Sequence, residues 1–139
     1  MSEPVWLLES AVVITHEISL ANYGGGTGIR DRGLLQSALA RPRNLYERNL
    51  HEYGKPGMFE LAAAYTFGIV KNHPFVDGNK RAGFLAGAAC LELNGFQFTA
   101  SETEATRIIL GLAAGQLSEQ QLAKWLQVNA ERRPKKPPK

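Results

Sequence analysis

Two stretches of this chain, residues 58–72 and 79–94, have a helical pattern that is apolar on almost every side. A helix of that kind has to be buried, because it has no polar face to turn toward water. Residues 79–94 are also rich in alanine and glycine, which allow helices to pack closely. A length of 139 residues fits one domain. The sequence therefore predicts an all-α domain built around two buried central helices joined by a short link.

Four further helices are predicted around this pair from capping residues and apolar spacing. They cover roughly 11–22 after a Ser10 cap, Asp31 to about Ala40 with an end at Arg41–Pro42, Ser101 to about 114, and Ser118 to about 130. The last two begin with capping boxes, Ser-x-x-Glu and Ser-x-x-Gln. Between helices, Gly24–Gly28 is interpreted as a connection, Phe96–Thr99 as an extended link, and 42–56 as the least regular stretch. Docking of a substrate by 42–56 is suggested by position alone.

The link between the two central helices reads His73-Pro74-Phe75-Val76-Asp77-Gly78-Asn79-Lys80-Arg81. Lys80 and Arg81 fall in the first turn of the second helix, where the macrodipole is already positive. Cations are unfavourable there unless an anion joins them. Because the free backbone N–H groups of a helix N-terminus bind phosphate readily, the arrangement predicts a nucleotide-phosphate site at this helix start.

A histidine and an aspartate accompany the predicted phosphate site. His73 is suited to take a proton from a hydroxyl nucleophile, because histidine exchanges protons near neutral pH. Asp77 can hold a hard cation, and Mg²⁺ usually binds one or two carboxylates together with phosphate oxygens. Phe75 is predicted to point inward and anchor the link on the core. Asp-Gly-Asn alone is common turn chemistry, so the catalytic interpretation depends on His73 and the two cations.

The remaining residues of the link are predicted to shape the phosphate site. Gly78 permits a turn that a larger residue would resist and lets phosphate approach the backbone. Asn79 can cap the helix or donate a hydrogen bond to a phosphate oxygen. Lys80 and Arg81 would neutralise the charge of bridging or transferring phosphates.

At this point the link resembles the signature of the Fic superfamily, H-P-F-x-[DE]-G-N-G-R-x-x-R, and more closely its death-on-curing (Doc) branch. Gly28–Asp31 and Leu34–Pro42 are similar to the same branch, and the resemblance covers about residues 3–130. It implies an all-α Fic fold, ATP and Mg²⁺ as cofactors, and modification of a protein hydroxyl. Doc-like toxins phosphorylate elongation factor Tu and so arrest translation. A cognate antitoxin folds a disordered C-terminal segment onto them.

Two departures from the general Fic pattern favour the Doc branch. Lys80 replaces the second glycine of G-N-G, where a lysine would crowd and neutralise the phosphate pocket. Phe84 takes the place of the last arginine, so a phosphate-binding cation of AMP transferases is missing. Both changes favour transfer of the γ-phosphoryl group. The alternatives are an AMP transferase of the same fold and a catalytically silent module that acts through its antitoxin or operator.

The inhibitory pattern of self-inhibited relatives, [ST]-x-x-x-E-[GN], is absent from the sequence. Inhibition is therefore expected from a separate antitoxin protein. Catalysis is expected from His73, Asp77, Lys80 and Arg81.

The basic charge of the chain lies mostly at its C-terminus. Residues 1–131 hold 11 Lys and Arg against all 13 acidic residues, a net charge of −2, whereas the last eight residues carry +5. We therefore predict a domain over 1–131 and a basic, Pro-rich, disordered tail over 132–139. No basic face with interleaved aromatics is present, so contact with nucleic acid is expected only indirectly, through the antitoxin.

Three isolated side chains carry structural rather than catalytic interpretations. Cys90 is predicted to be a small core residue, His16 a hydrogen-bonded core histidine, and His51 a solvated side chain. One cysteine cannot form an internal disulfide, and the sequence starts without a signal-peptide pattern. Since no apolar run reaches the length of a membrane span, a cytoplasmic protein with no membrane partner is expected.

Overall fold

Six α-helices and one small sheet make up the part of the chain that the computed structural model describes, residues 3–48 and 57–134. In chain order they are α1 (Glu9–Tyr23), α2 (Arg32–Arg48), α3 (Met58–Asn72), α4 (Asn79–Leu93), β1 (Phe96–Phe98), α5 (Glu102–Ala113), α6 (Glu119–Val128) and β2 (Ala130–Arg132). The strands β1 and β2 are antiparallel. The predicted all-α fold is confirmed. Among the described residues, no helix is both long and apolar enough to cross a bilayer.

Helices α3 and α4 form the centre of the molecule, as predicted. Nine of the 15 residues of α3 are buried, and α4 turns its glycines toward it. A Cβ atom on Gly83 would lie 2.8 Å from Val70 Cγ2, and one on Gly87 would overlap Thr66 Oγ1. Thr66 Oγ1 also donates a hydrogen bond to Gly83 O at 2.8 Å. The two helices therefore approach too closely for any side chain larger than hydrogen at these positions.

Helix α2 is longer than the sequence predicts. It continues through Pro42 to Arg48 instead of ending near Ala40. A proline inside a helix costs about 3 kcal/mol or more, but this one lies on a buried face that packs against α3. Ala38 on that face lies 3.2 Å from the position of a Cβ on Gly68. Burial along the whole face, formed by Leu35, Ala38, Pro42 and Tyr46, offsets the local preference to stop.

The predicted irregular stretch 42–56 therefore has two parts. Its first seven residues belong to α2. Residues 49–56, including His51, lie outside the described residues, and the prediction of a solvated His51 lies there too.

Some of the helix caps predicted from the sequence are present in the structure, and one is absent. Ser101 accepts a hydrogen bond from Glu104 N, and Ser118 forms a complete capping box with Gln121, both as predicted. The predicted Ser10 cap of α1 is wrong, because that helix begins at Glu9 after Leu8, without a side-chain cap.

The C-terminal end of the described chain returns to the end of α4. Strand β1 was predicted as an extended link, whereas its partner β2 was not predicted, and α6 ends at Val128 rather than near 130. Arg132 pairs with Phe96, and Arg133 donates its N–H to Gly95 O at 2.9 Å. These two arginines, assigned to the tail by composition, are therefore part of the fold. Residues 135–139 lie outside the described residues, and their disorder stays a prediction.

Asn94, just after α4, ties down the N-terminal segment. Its Oδ1 accepts a hydrogen bond from Val5 N at 2.8 Å, while its Nδ2 donates to Val5 O at 3.1 Å and to Cys90 O at 2.8 Å. Cys90 itself is buried, and burial raises the pKa of its thiol to about 12. The prediction of Cys90 as a core residue is confirmed.

Candidate active site

The loop between α3 and α4 opens into a cleft of about 980 Å³. The start of α4 and the loop form one wall, α1 forms a second, and β1 with α5 forms the opposite one. All six predicted site residues line this cleft: His73, Asp77, Gly78, Asn79, Lys80 and Arg81. The six residues that were predicted from the nine-residue motif therefore line one cavity.

His73 is the residue at which α3 ends. Its backbone is left-handed, with φ 50° and ψ 55°, and its N–H donates to Ile69 O at 3.1 Å. It is the one non-glycine residue with positive φ among the residues that the structure describes. This conformation costs an L-residue roughly 1–2 kcal/mol. The turn of the backbone ends the helix and lets the exposed side chain line the cleft.

Asn79 is buried and holds the loop from inside. Its Oδ1 accepts from Phe75 N at 2.9 Å, and its Nδ2 donates to Phe75 O at 3.0 Å. The amide was predicted to cap the helix or to face phosphate, but Asn79 makes no side-chain cap for α4. Its Nδ2 also lies 3.4 Å from His73 Nδ1. Because Nδ2 is a donor, this long contact favours the His73 tautomer with its proton on Nε2.

Helix α4 begins as an anion site would. Gly78 precedes it with φ 75°, the positive φ that favours glycine, and no side chain caps the first-turn N–H groups. Lys80 and Arg81 are exposed beside them. Among the described residues neither cation forms a salt bridge, although the Arg81 guanidinium lies 4.0 Å from the centre of the Tyr23 ring. Uncapped N–H groups and two unpaired cations together make a strongly positive surface.

Asp77 lies at the edge of this positive surface and is exposed to solvent. Its carboxylate accepts hydrogen bonds from Gly26 N at 3.2 Å and Gly78 N at 2.8 Å. These two bonds, followed by the charges of His16 and Arg81, lower the pKa of Asp77 below its ordinary value. The carboxylate is therefore ionised at neutral pH, with lone pairs left for a cation.

Within residues 3–48 and 57–134, Asp77 has no acidic or histidine companions that would complete a metal cage. The described residues contain no group of three or more side chains able to hold a metal ion. One carboxylate beside an anion site fits Mg²⁺ only when phosphate oxygens and water supply the other ligands.

His16 lies buried beneath the loop. Its ring stacks on Phe75, with ring centres 3.8 Å apart and planes 12° from parallel. Its Nε2 lies 2.7 Å from Asp77 O and donates to it, because a carbonyl oxygen can only accept. The prediction of a hydrogen-bonded core histidine is confirmed, but the sequence offered no signal that its partner would be this loop.

The stretch 28–31 is bonded to the loop from outside. Arg30 N and Asp31 N donate to Pro74 O at 2.7 and 3.0 Å, and Val76 N donates to Gly28 O at 3.0 Å. These bonds include the isolated bridge between Ile29 and Phe75. The glycine segment, interpreted as a connection, thus forms part of the site's framework. Its short pairing leaves no periodic pattern that sequence reasoning could detect.

Phe84 follows Arg81 on the cleft side of α4 and is half-buried. It packs edge-on against Phe98 of β1, with ring centres 5.2 Å apart. The position where the general Fic pattern has a second arginine is therefore apolar. Ile109 and Leu110 of α5 extend the apolar wall on the far side of the cleft.

Comparison with known proteins agrees with this geometry. The Fic/DOC family model matches residues 6–91, a span that includes the whole loop and most of α4. The chain is 38% identical over 79 residues to toxin Doc of Mycolicibacterium smegmatis. That match covers 56% of this chain and 58% of the relative, less than two thirds of the relative's length. Since the family model spans more than half of the chain and contains the cleft motif, this protein belongs to the Fic/Doc family.

Proposed function

We propose that this protein is the toxin of a toxin–antitoxin pair and transfers the γ-phosphoryl group of ATP to a hydroxyl of a translation factor. The observation that carries the proposal is the uncapped start of α4, where Lys80 and Arg81, which form no salt bridge within the described part of the chain, share a cleft with His73. The printed name of its relative, toxin Doc, supports the biological role. The resemblance to Doc toxins names elongation factor Tu, a cytoplasmic protein, as the substrate.

The charges of the cleft suit a bound nucleotide triphosphate. The first-turn N–H groups of α4, with Lys80 and Arg81, would hold the phosphates by charge-assisted hydrogen bonds. The Asp77 carboxylate would repel the same phosphates unless a cation lay between them, so Asp77 is the residue that would hold Mg²⁺. When bound, ATP would supply the phosphoryl group and Mg²⁺ would neutralise part of the phosphate charge.

His73 is proposed to act as the general base. The hydroxyl oxygen of the target forms a bond to the γ-phosphorus as the bond to the bridging oxygen breaks and ADP leaves. The hydroxyl proton passes to the His73 imidazole. To accept it at Nε2, the ring must carry its own proton on Nδ1, so the 3.4 Å contact with Asn79 Nδ2 has to lengthen in the reacting complex.

Lys80 and Phe84 are proposed to select the phosphoryl group over AMP. A glycine at the start of α4 would leave space for phosphate. Lysine fills that space with a side chain and a positive charge. The apolar Phe84 provides no second guanidinium for a buried diphosphate. The nucleotide is therefore expected to direct its γ-phosphate toward His73.

Labelled ATP tests the proposal directly. Elongation factor Tu is incubated with the protein, Mg²⁺ and ATP labelled on the α- or the γ-phosphate. Label is expected from γ-labelled ATP alone, should vanish in excess chelator, and should fall strongly with Lys80→Gly. Transfer of the α-label would establish an AMP transferase instead, and no transfer of either label would favour a silent binding module.

Relief by a separate antitoxin is the second part of the proposal. Since the chain lacks the internal inhibitory pattern, its expression alone should arrest growth, and co-expression of the antitoxin should restore it. The antitoxin's C-terminal segment is expected to fold over the cleft. Harmless expression of the folded, unaltered chain without an antitoxin would contradict this part.

A further inference from the structure

Arg30 contacts three consecutive carbonyl groups at the end of α3. Its Nε donates to His73 O at 2.7 Å, its Nη2 donates to Asn72 O at 2.9 Å, and its backbone N–H donates to Pro74 O at 2.7 Å. Carbonyls at a helix C-terminus lack partners within the helix and carry its negative dipole end. The Arg30 side chain therefore bonds the carbonyls of Asn72 and of the left-handed residue His73, and its backbone N–H bonds that of Pro74.

The Arg30 side chain contacts the backbone on which the orientation of His73 depends. The φ and ψ angles of His73 decide whether its side chain faces the cleft, and its left-handed conformation is unfavourable without external support. The neighbouring bonds hold Val76, whose N–H donates to Gly28 O, and Pro74, whose carbonyl accepts from Asp31 N. Among the described residues, the Arg30 guanidinium is the side chain that bonds the carbonyl oxygen of His73 itself.

We propose that Arg30 is a positioning residue of the transfer reaction, acting by holding the His73 backbone in its left-handed conformation. The inference rests on the proposed function, in which His73 is the base. Arg30 does not line the cleft, so its effect on the reaction passes through His73. Its loss should lower kcat by on the order of ten- to a hundred-fold, the effect of a base displaced by about 1 Å, and should leave the KM for ATP nearly unchanged.

The test compares Arg30→Ala with Arg32→Ala. Arg32 is another exposed arginine two residues away, and it pairs with Glu9 instead of the loop. The expected result is a loss of kcat in Arg30→Ala alone, measured per folded molecule. Millimolar guanidinium should restore part of that loss, and Arg30→Lys should retain part of the activity. Guanidinium should not rescue His73→Ala.

A second measurement does not depend on activity. In the NMR spectrum, the Cα chemical shift and the HN–Hα coupling of His73 should move away from left-handed values in Arg30→Ala and stay in place in Arg32→Ala. If the unaltered protein transfers no label, the proposed function fails, and these signals alone decide whether Arg30 holds His73.

Three outcomes would overturn the inference. The first is equal kcat values in Arg30→Ala and Arg32→Ala. The second is a higher KM for elongation factor Tu at unchanged kcat, which would make Arg30 a docking residue. The third is His73 signals that do not respond to the loss of the guanidinium.

Discussion

The α3–α4 helix pair and the loop that joins them are neighbours, yet they are held in different ways. The helices are held by close apolar packing, with Gly83 and Gly87 of α4 against α3. The loop is held by hydrogen bonds to α1 and the stretch 26–31, whose partners lie 42 to 61 residues away in sequence. This difference predicts that substitutions in the helix pair will mainly change stability, and substitutions around the loop will mainly change activity.

Replacing the proposed base should break activity most strongly. His73→Ala is expected to reduce phosphate transfer by about 10²–10⁴-fold, the usual loss when general-base catalysis is removed. The His73 side chain is exposed, so urea unfolding should match that of the unaltered protein. Near-normal label transfer by this variant would remove His73 from the mechanism.

Two adjacent glycines separate backbone strain from displacement of Asp77. Gly24 and Gly25 both have positive φ, but a Cβ on Gly25 would lie 2.9 Å from Asp77 Oδ2 and 3.0 Å from the flexible end of Leu20, whereas one on Gly24 meets nothing within 4 Å. Gly25→Ala should therefore lower transfer by on the order of ten-fold or more relative to Gly24→Ala. The comparison uses initial rates at saturating ATP over a range of Mg²⁺ concentrations. Equal rates would show that the position of Asp77 is not critical.

Replacing His16 is expected to lower both stability and activity, because this buried side chain supports the loop. His16→Leu leaves Asp77 O without its donor and should lower the free energy of unfolding by about 1–3 kcal/mol, together with a loss of transfer. His16→Gln retains an N–H donor, which is expected to bond the carbonyl that His16 Nε2 now contacts at 2.7 Å, so it should lose less of both. Urea unfolding and label transfer are measured on the same samples, and an equally mild effect of leucine would argue against the hydrogen bond.

A substitution within the α3–α4 helix pair should lower stability and leave activity almost unchanged. In Gly87→Ala the new methyl group overlaps Thr66, which should lower the free energy of unfolding by about 1–3 kcal/mol. Transfer per folded molecule should stay near normal. Gly111→Ala on α5 is the control, because its Cβ would make only an ordinary contact of 3.9 Å with Leu117 Cβ, and it should stabilise the protein by up to about 1 kcal/mol. A clear loss of transfer per folded molecule in Gly87→Ala would contradict the expectation that the helix pair affects stability rather than activity.

The smallest expected effect concerns acid. Because hydrogen bonds lower the pKa of Asp77 in the folded protein, its ionised form contributes stability above the pKa of the unfolded chain. That contribution is lost as pH falls through the folded pKa. The difference in unfolding free energy between the unaltered protein and Asp77→Asn should therefore shrink on acidification. Urea titrations at a series of pH values measure it, and a constant difference would mean that these bonds do not favour the charged form.

What could be predicted from sequence follows the same division. The residues that make α3 and the Ser118 capping box are local in sequence, and both were predicted at the observed positions. The six predicted site residues lie within one motif, so their shared position in the cleft was predictable too.

What could not be predicted depends on distant partners. Helix α2 passes through Pro42 because its buried face packs on α3. The packing energy cannot be predicted from the residues next to the proline. Strand β2 exists because β1 lies beside it, 34 residues earlier at the pair Gln97 and Glu131. The functions of His16 and Arg30 as loop supports appear only when the chain is folded.

The hydrogen bonds of Asn94 to the N-terminal segment are exposed to slow loss by deamidation. Asparagine followed by glycine is the dipeptide most prone to deamidation, and the chain carries it at Asn94–Gly95. In the folded protein the side-chain amide is held by Val5 and Cys90, and Gly95 N, the attacking atom, donates to Glu92 O at 3.2 Å. Conversion to aspartate would replace the donor with a negative charge at the C-terminal end of α4, which is unfavourable. Storage should thus loosen the N-terminal segment at a rate set by local opening, which peptide mass spectrometry can follow.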